Sequence, residues 1–274
     1  MKQNSIPSCY NTGESPDELR QKYNPEGSIL RKLQLRMLDM LIYLDKVCKE
    51  ENIIWRLDAG QVLGAYRHGG FIPWDDDVDI VLLPNEHRRL IRYLEKHPHP
   101  QFVLQTNKTD KFYSHGWAVL RDTKSEYIQN SIVHNARKYR GAQIDIFMYD
   151  NHLNKHLSRI STILPGINAR FFIGRNSWIA QTIYVLQEFL LNPCLKGLGY
   201  FFSSKEKYAH SYGLNGKFIS SDALFPYKGI MFEGFEFPAP GNVEQYLEEK
   251  FGKDYMNLPP IEERDHHKAS YRIW

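Results

Sequence analysis

Cysteine is scarce: Cys9, Cys48 and Cys194 are far apart, odd in number and without a CxxC pair. Such spacing excludes a disulfide framework and a cysteine zinc site, and a reducing compartment is expected. Long hydrophobic runs are missing as well. No stretch of about 18 apolar residues occurs, and the opening residues hold no apolar core of leader length. The protein is therefore expected in the cytoplasm, at most peripheral at the inner face of the membrane. An excess of one charge is also lacking. The net charge of +3 suits work near anionic phosphates or lipid surfaces and is too small to imply a nucleic-acid partner. What remains is ordinary for a globular enzyme, with 42% hydrophobic and 24% charged residues, enough to bury a core.

Hydrophobic periodicity divides the chain into four regions. Residues 1–27, rich in Ser, Asn, Pro and Gly, read as an extended or flexible arm. Leu30, Leu33, Met37, Leu41, Leu44 and Cys48 then recur at spacings of three and four, which predicts a core-facing helix. Strand-like runs at 53–57, 78–83, 102–105, 117–121 and 143–148 alternate with helices at 61–67 and from Pro84 to about 97. The fold class expected for 28–150 is α+β, a mixed sheet flanked by helices. Residues 151–215 form a basic, aromatic insertion of helical character, with seven Lys or Arg against two acids between 155 and 207. A helical subdomain packed on the core and a surface that docks on a membrane both fit this composition. Residues 216–274 predict a hairpin turning at Glu233-Gly234, a helix capped by Asn242 and stopped by Gly252, and a loop-like tail.

The chemistry is concentrated in residues 58–80, DAGQVLGAYRHGGFIPWDDDVDI. Side chains alternate across a strand, so Asp77 and Asp79 project on one face with Val78 and Ile80 on the other. Two carboxylates this close repel unless a cation neutralises them, and an all-oxygen donor set favours Mg²⁺ or Mn²⁺. Asp145, in Gln143-Ile-Asp-Ile-Phe, could be brought beside them by a neighbouring strand. Three carboxylates could hold two ions, the arrangement that clamps the attacking and leaving oxygens of a phosphoryl displacement. A calcium-storage loop is disfavoured, because Ile80 stands where its glycine is required.

Gly60 lies between a strand and a short helix, where backbone N–H groups can bind phosphate. Arg67 and His68 are either phosphate donors or ordinary loop residues. Asp75, Asp76 and Trp74 would support the acidic pair from behind.

Gly60, Asp77-Val-Asp79 and Ile144-Asp145-Ile146 together resemble the signature of the nucleotidyltransferase-fold superfamily. Residues 63–80, LGAYRHGGFIPWDDDVDI, resemble the LicD family more specifically, as do Phe232-Glu-Gly-Phe-Glu-Phe-Pro and Tyr255-Met-Asn-Leu-Pro-Pro further on. That family includes phosphocholine transferases and the related ribitol-phosphate transferases of the fukutin group. The resemblance implies that Asp77, Asp79 and Asp145 hold the catalytic metals. It also implies a CDP-linked alcohol donor such as CDP-choline, a glycan or glycolipid acceptor (lipopolysaccharide, teichoic acid or a capsule precursor) and release of CMP. Gln61 departs from the Thr or Ser usual after the glycine, which bears on donor binding. A nucleotidyltransferase releasing pyrophosphate and a catalytically silent nucleotide-binding protein are the competing readings.

Overall fold

Helix begins earlier than the composition of the first residues suggests. The computed structural model describes residues 11–151, 155–202, 206–211, 217–264 and 270–274. Within them α1 (Pro16–Tyr23) opens on a reciprocal cap: Ser15 Oγ accepts from the Glu18 N–H at 3.2 Å, and the Glu18 carboxylate accepts from the Ser15 N–H at 2.7 Å. Leu19 is then fully buried. The arm expected over 1–27 is thus corrected for 16–23. The Ser-x-x-Glu box satisfies two helix-terminal donors at once and outweighs the turn-forming composition around it. Residues 1–10 lie outside the described residues.

The core follows its periodicity closely. In α2 (Ile29–Glu50), capped by Ser28, the stripe of Leu33, Met37, Leu41, Leu44 and Cys48 is buried. Then come β1 (Trp55–Leu57), α3 (Ala59–His68), β2 (Asp79–Leu82), α4 (Pro84–Lys96), β3 (Phe102–Gln105) and β4 (Ala118–Asp122). Two short elements follow that periodicity did not signal, β5 (Ser125–Ile128) and α5 (Ile132–Ala136). The central strand β6 (Gln143–Asp150) completes the sheet, whose order is β1-β2-β6-β4-β3. Among the described residues only β2 and β6 pair in parallel. The mixed sheet with flanking helices is the expected class.

The insertion leaves from the end of β6. It comprises α6 (Lys155–Ser161), α7 (Ile163–Phe171) and α8 (Ser177–Leu186), a π-helical turn at Gln187–Leu191 and α9 (Asn192–Phe202). The chain returns as β7 (Lys207–His210), which pairs Tyr149 with His210, and β8 (Ile219–Ser220) pairs with β7. After α10 (Ser221–Leu224), β9 (Lys228–Phe232) and β10 (Phe235–Ala239) form the expected hairpin. Its turn residues Glu233 and Gly234 sit at φ 51° and 83°, the pair of positive values that a two-residue hairpin turn needs. α11 (Val243–Phe251) carries the Asn242 cap, which accepts from the Gln245 N–H at 3.2 Å. The loop expected for the tail is corrected at its end, where β11 (Ser270–Ile273) pairs with β5.

Candidate active site

Alternation along β6 separates two kinds of residue. Ile144, Ile146 and Met148 face one way; Gln143, Asp145, Phe147 and Tyr149 face the other. Pairing carries this division across the sheet. Ile146 is in register with Ile80 of β2 and Ala118 of β4, and this aliphatic face joins α2 and α4 in the core. Asp145 is in register with Asp79 and Val119, and Gln143 with Arg121. Asp79, Asp145 and Arg121 therefore stand on one face of three neighbouring strands. Adjacent strands are about 4.8 Å apart, so Asp79 and Asp145 are close neighbours.

Asp77, at the entrance to β2, lines a cavity of about 160 Å³ with Asp76, Arg121, Tyr127, His134, Arg137 and Gln143. The electrostatics are those of crowded acids. Burial first, and then the charges of Asp77, Asp145, Asp58 and Asp75, hold the Asp79 carboxyl well above its usual range. Asp75 is raised likewise by burial, Asp77 and Asp76. Asp145 is raised to about 6 by burial and Asp77, against the opposing pull of the Arg121 and Arg137 guanidinium groups.

This donor set fits a hard divalent cation. Every candidate ligand is a carboxylate, and their mutual repulsion is the feature that such an ion relieves. Among the described residues no group of three or more His, Cys, Asp or Glu side chains is arranged to hold a metal ion. The acids line up instead along the strand ends, with Asp79 and Asp145 side by side.

Gln61 has a role that sequence alone did not assign. Its Nε2 donates to the Asp77 carbonyl at 2.9 Å and its Oε1 accepts from the Asp79 N–H at 2.8 Å. One buried amide thus clips α3 to the backbone on both sides of Val78, fixing where both carboxylates leave the chain. A Thr or Ser side chain is too short to make both bonds. Gly60 leaves room for Asp75, since a Cβ there would stand 3.0 Å from Asp75 Oδ2, a tight contact that the carboxylate would have to relieve by shifting.

Arg67 and His68 serve a different purpose from the phosphate contact considered for them. They lie in the last turn of α3, roughly 10 Å along the helix from Gly60. Arg67 is buried and donates from Nη1 to the carbonyls of Tyr255 and Asn257 at 2.9 and 3.0 Å, tying down the C-terminal segment. His68 is fully buried and accepts from Arg67 Nε at 3.0 Å. Burial, with Arg67 and Arg20 nearby, pushes its pKa down to about 2, so it stays neutral. Trp74 likewise packs beneath the site, edge-on to Tyr23 with ring centroids 5.1 Å apart and under the Arg264 guanidinium. Asp76 is held by the hydroxyls of Tyr127 and Tyr271, on its carbonyl and its carboxylate respectively.

Three groups escaped sequence reading. Arg121 donates from Nε to Gln105 Oε1 at 2.8 Å and from Nη1 to the Gly141 carbonyl at 3.0 Å, which holds its guanidinium at the cavity. Arg137 leaves from the end of α5 beside it. Asp58 is fully buried, where its carboxylate accepts from the hydroxyls of Tyr149 at 2.9 Å and Tyr246 at 2.7 Å and pairs with His210 and Lys250. The alternating pattern of β4 could have flagged Arg121, an arginine at a core-strand position. Nothing local marks Arg137 or Asp58.

A helix-flanked mixed sheet that presents carboxylates from two parallel neighbouring strands, beside a helix starting at a glycine, defines a nucleotidyltransferase-type domain. Residues 52–172 match the family described as LicD/FKTN/FKRP, nucleotidyltransferase domain. Over those residues the chain is similar to that family's nucleotidyltransferase domain. The chain is 26% identical over 262 residues to the lipopolysaccharide cholinephosphotransferase LicD of Haemophilus influenzae, covering 87% of this chain and 95% of that protein. It is 33% identical over 86 residues to the uncharacterized protein RP689 of Rickettsia prowazekii, covering 31% of this chain and 29% of that one.

Proposed function

We propose that this protein is a LicD-type phosphotransferase that moves phosphocholine from CDP-choline to a hydroxyl of a cell-surface glycan, with lipopolysaccharide the first acceptor class to try, and releases CMP. The observation that carries the reading is the in-register pair Asp79 and Asp145, on the same sheet face as Arg121, which lines a cavity together with Asp77 and Arg137. Similarity over most of the chain to a lipopolysaccharide cholinephosphotransferase supplies the donor group and the acceptor class.

In the proposed reaction the acceptor oxygen attacks the choline-bearing phosphorus and forms the new P–O bond. The bond to the bridging oxygen breaks, CMP leaves with that electron pair, and the acceptor's proton is lost to a nearby base. Asp77, Asp79 and Asp145 are the residues to hold Mg²⁺ or Mn²⁺, at one or two positions. A bound ion would supply charge neutralisation at the phosphate oxygens. Arg121 and Arg137 offer guanidinium donors to the same anionic group, the geometry best suited to phosphate. Gln61 keeps the carboxylates in place from behind, and Arg67, whose Nε donates to His68, anchors the C-terminal segment.

The test is CMP release from CDP-choline, and phosphocholine gain by the glycan read by mass, with Mg²⁺ or Mn²⁺, in the wild type and in Asp79→Asn and Asp145→Asn. Near-full transfer by either variant refutes the role given to the acids. Pyrophosphate release from CTP or ATP, with CDP-choline left intact, would replace this reading by nucleotidyl transfer.

A further inference from the structure

The helical insertion is polar inside and apolar outside. In the continuous helical stretch from Ser177 to Phe201, every exposed side chain is uncharged, and the outermost are Trp178, Phe189 and Phe201, at 77%, 75% and 78% exposure. Val185, Leu186 and Leu198 flank them on the same outward side, and Ile163, Ile167 and Phe171 of α7 are exposed as well. The interior of the insertion holds Ser158, Ser161, Asn168, Gln187 and Asn192, with Ile173, Ala180 and Leu195 the buried apolar side chains among the described residues.

Those inward polar groups bond to one another and to backbone. Gln187 Nε2 donates to the Ser161 carbonyl at 2.9 Å and to Asn192 Oδ1 at 2.6 Å, and Asn168 Nδ2 donates to the Ala180 carbonyl at 3.0 Å. A helical unit facing water buries its large apolar side chains and exposes its charges. Exposing Trp and Phe while turning amides inward lowers the free energy only where the surroundings are themselves apolar.

Charge distinguishes between the two apolar surroundings available, a lipid surface and a second copy of the chain. From residue 156 to 187 there is no acid, while Arg159, Arg170 and Arg175 are exposed, two of them adjacent to the exposed Ile160 and Phe171. A two-fold interface would set this patch against itself, arginine against arginine. Anionic head groups would neutralise the same arginines while acyl chains took up the aromatic side chains. No helix among the described residues is long and apolar enough to cross a membrane, so the geometry is that of a surface seated in one leaflet.

We infer that the outward face of α7, α8 and α9 is a docking surface for an anionic lipid bilayer. The inference is independent of the chemistry proposed above, because it rests on residues outside that site.

The test is flotation of the full chain with vesicles of phosphatidylglycerol and phosphatidylcholine, against vesicles of phosphatidylcholine alone. The wild type is expected to float with the anionic vesicles, and its binding to drop at least tenfold in Phe189→Asp and in the triple variant Arg159→Gln, Arg170→Gln, Arg175→Gln. The triple variant alters only exposed side chains, which keeps the test open if Phe189→Asp fails to fold. Wild-type protein that is folded yet stays with the unbound fraction at millimolar anionic lipid overturns the inference. So does equal binding by the wild type and both folded variants. A lipid-free dimer that Phe189→Asp converts to monomer, without vesicle binding by the wild type, would assign the face to self-association instead.

Discussion

Asp79 and Asp145 are partners in register on adjacent parallel strands, and burial with the charges of Asp77 and Asp145 holds Asp79 well above the ordinary carboxylate range. Such an arrangement costs stability when nothing neutralises it. Sites that concentrate like charge for binding or catalysis commonly trade stability for function in this way.

Replacing one of the acids should therefore separate the two properties. Asp79→Asn removes the cost of burying an acid among other acids while keeping the shape, so the metal-free protein is expected to melt about 2–4 °C higher for each kcal/mol relieved. Transfer should fall at least about a hundredfold, the usual scale for losing a group that stabilises charge in the transition state. Scanning calorimetry without divalent ions, beside a CMP-release assay, checks both. A variant that melts lower and still transfers would contradict the account.

Cation binding should be linked to protons. Asp145, with its pKa raised to about 6, is largely protonated at pH 5 and ionised at pH 7. An ion must displace that proton, so apparent Mn²⁺ affinity is expected to rise through this interval and binding to release protons. Titration calorimetry in two buffers of different ionisation enthalpy measures the release. Equal affinity at pH 5 and pH 7 is the contrary result.

Gln61→Ala deletes the two bonds to the backbone around Val78. At about 1 kcal/mol per hydrogen bond, a loss of roughly 2 kcal/mol in stability is expected. The carboxylates lose their alignment with it, so kcat should fall more than the KM for the donor rises. Denaturant melts and steady-state kinetics together test this, and a donor KM effect alone would instead place the amide in direct contact with substrate.

Arg137→Gln should have the opposite kinetic signature. Arg137 lines the cavity and its buried Nε makes no hydrogen bond among the described residues. The variant is expected to raise the donor KM about tenfold, the scale of one charge-assisted bond, with the fold unchanged by circular dichroism. An unchanged KM would exclude the guanidinium from donor binding.

His68 predicts an acid sensitivity of defined sign. Its pKa is about 2 in the folded protein and near 6.5 when unfolded, so below pH 6.5 the unfolded chain takes up a proton that the folded one refuses. Stability is lost as pH falls, by roughly 1 kcal/mol from this residue between pH 8 and pH 5.5. His87 and His115, depressed to about 4 and about 3 by burial, act in the same direction. Denaturant melts at the two pH values should show a smaller difference in His68→Asn than in the wild type; an equal difference would refute the assignment.

The elements legible in advance were those whose signal is local. The stripe of α2, the hairpin at Glu233-Gly234 and the strand carrying Asp79 each follow from periodicity, turn chemistry or alternation within about twenty residues. α1 was equally local, in its Ser15–Glu18 box, but loop-like composition masked it. β5 and β11 were not legible, because each is short and gains its stability from the other across more than a hundred residues.

By itself the sequence determined that Asp79 opens one strand with Asp77 just before it, and that Asp145 sits on another strand. Only tertiary structure decided that β2 and β6 are neighbours and in register, that Arg121 and Arg137 meet the acids, and that Arg67 turns away, bonded to His68, to hold the C-terminal segment. It also decided that the insertion turns its amides inward and its aromatic side chains outward. The reason is one of range. Alternation and capping act between residues a few positions apart, whereas strand order and the environment of a side chain depend on which distant segments close over it.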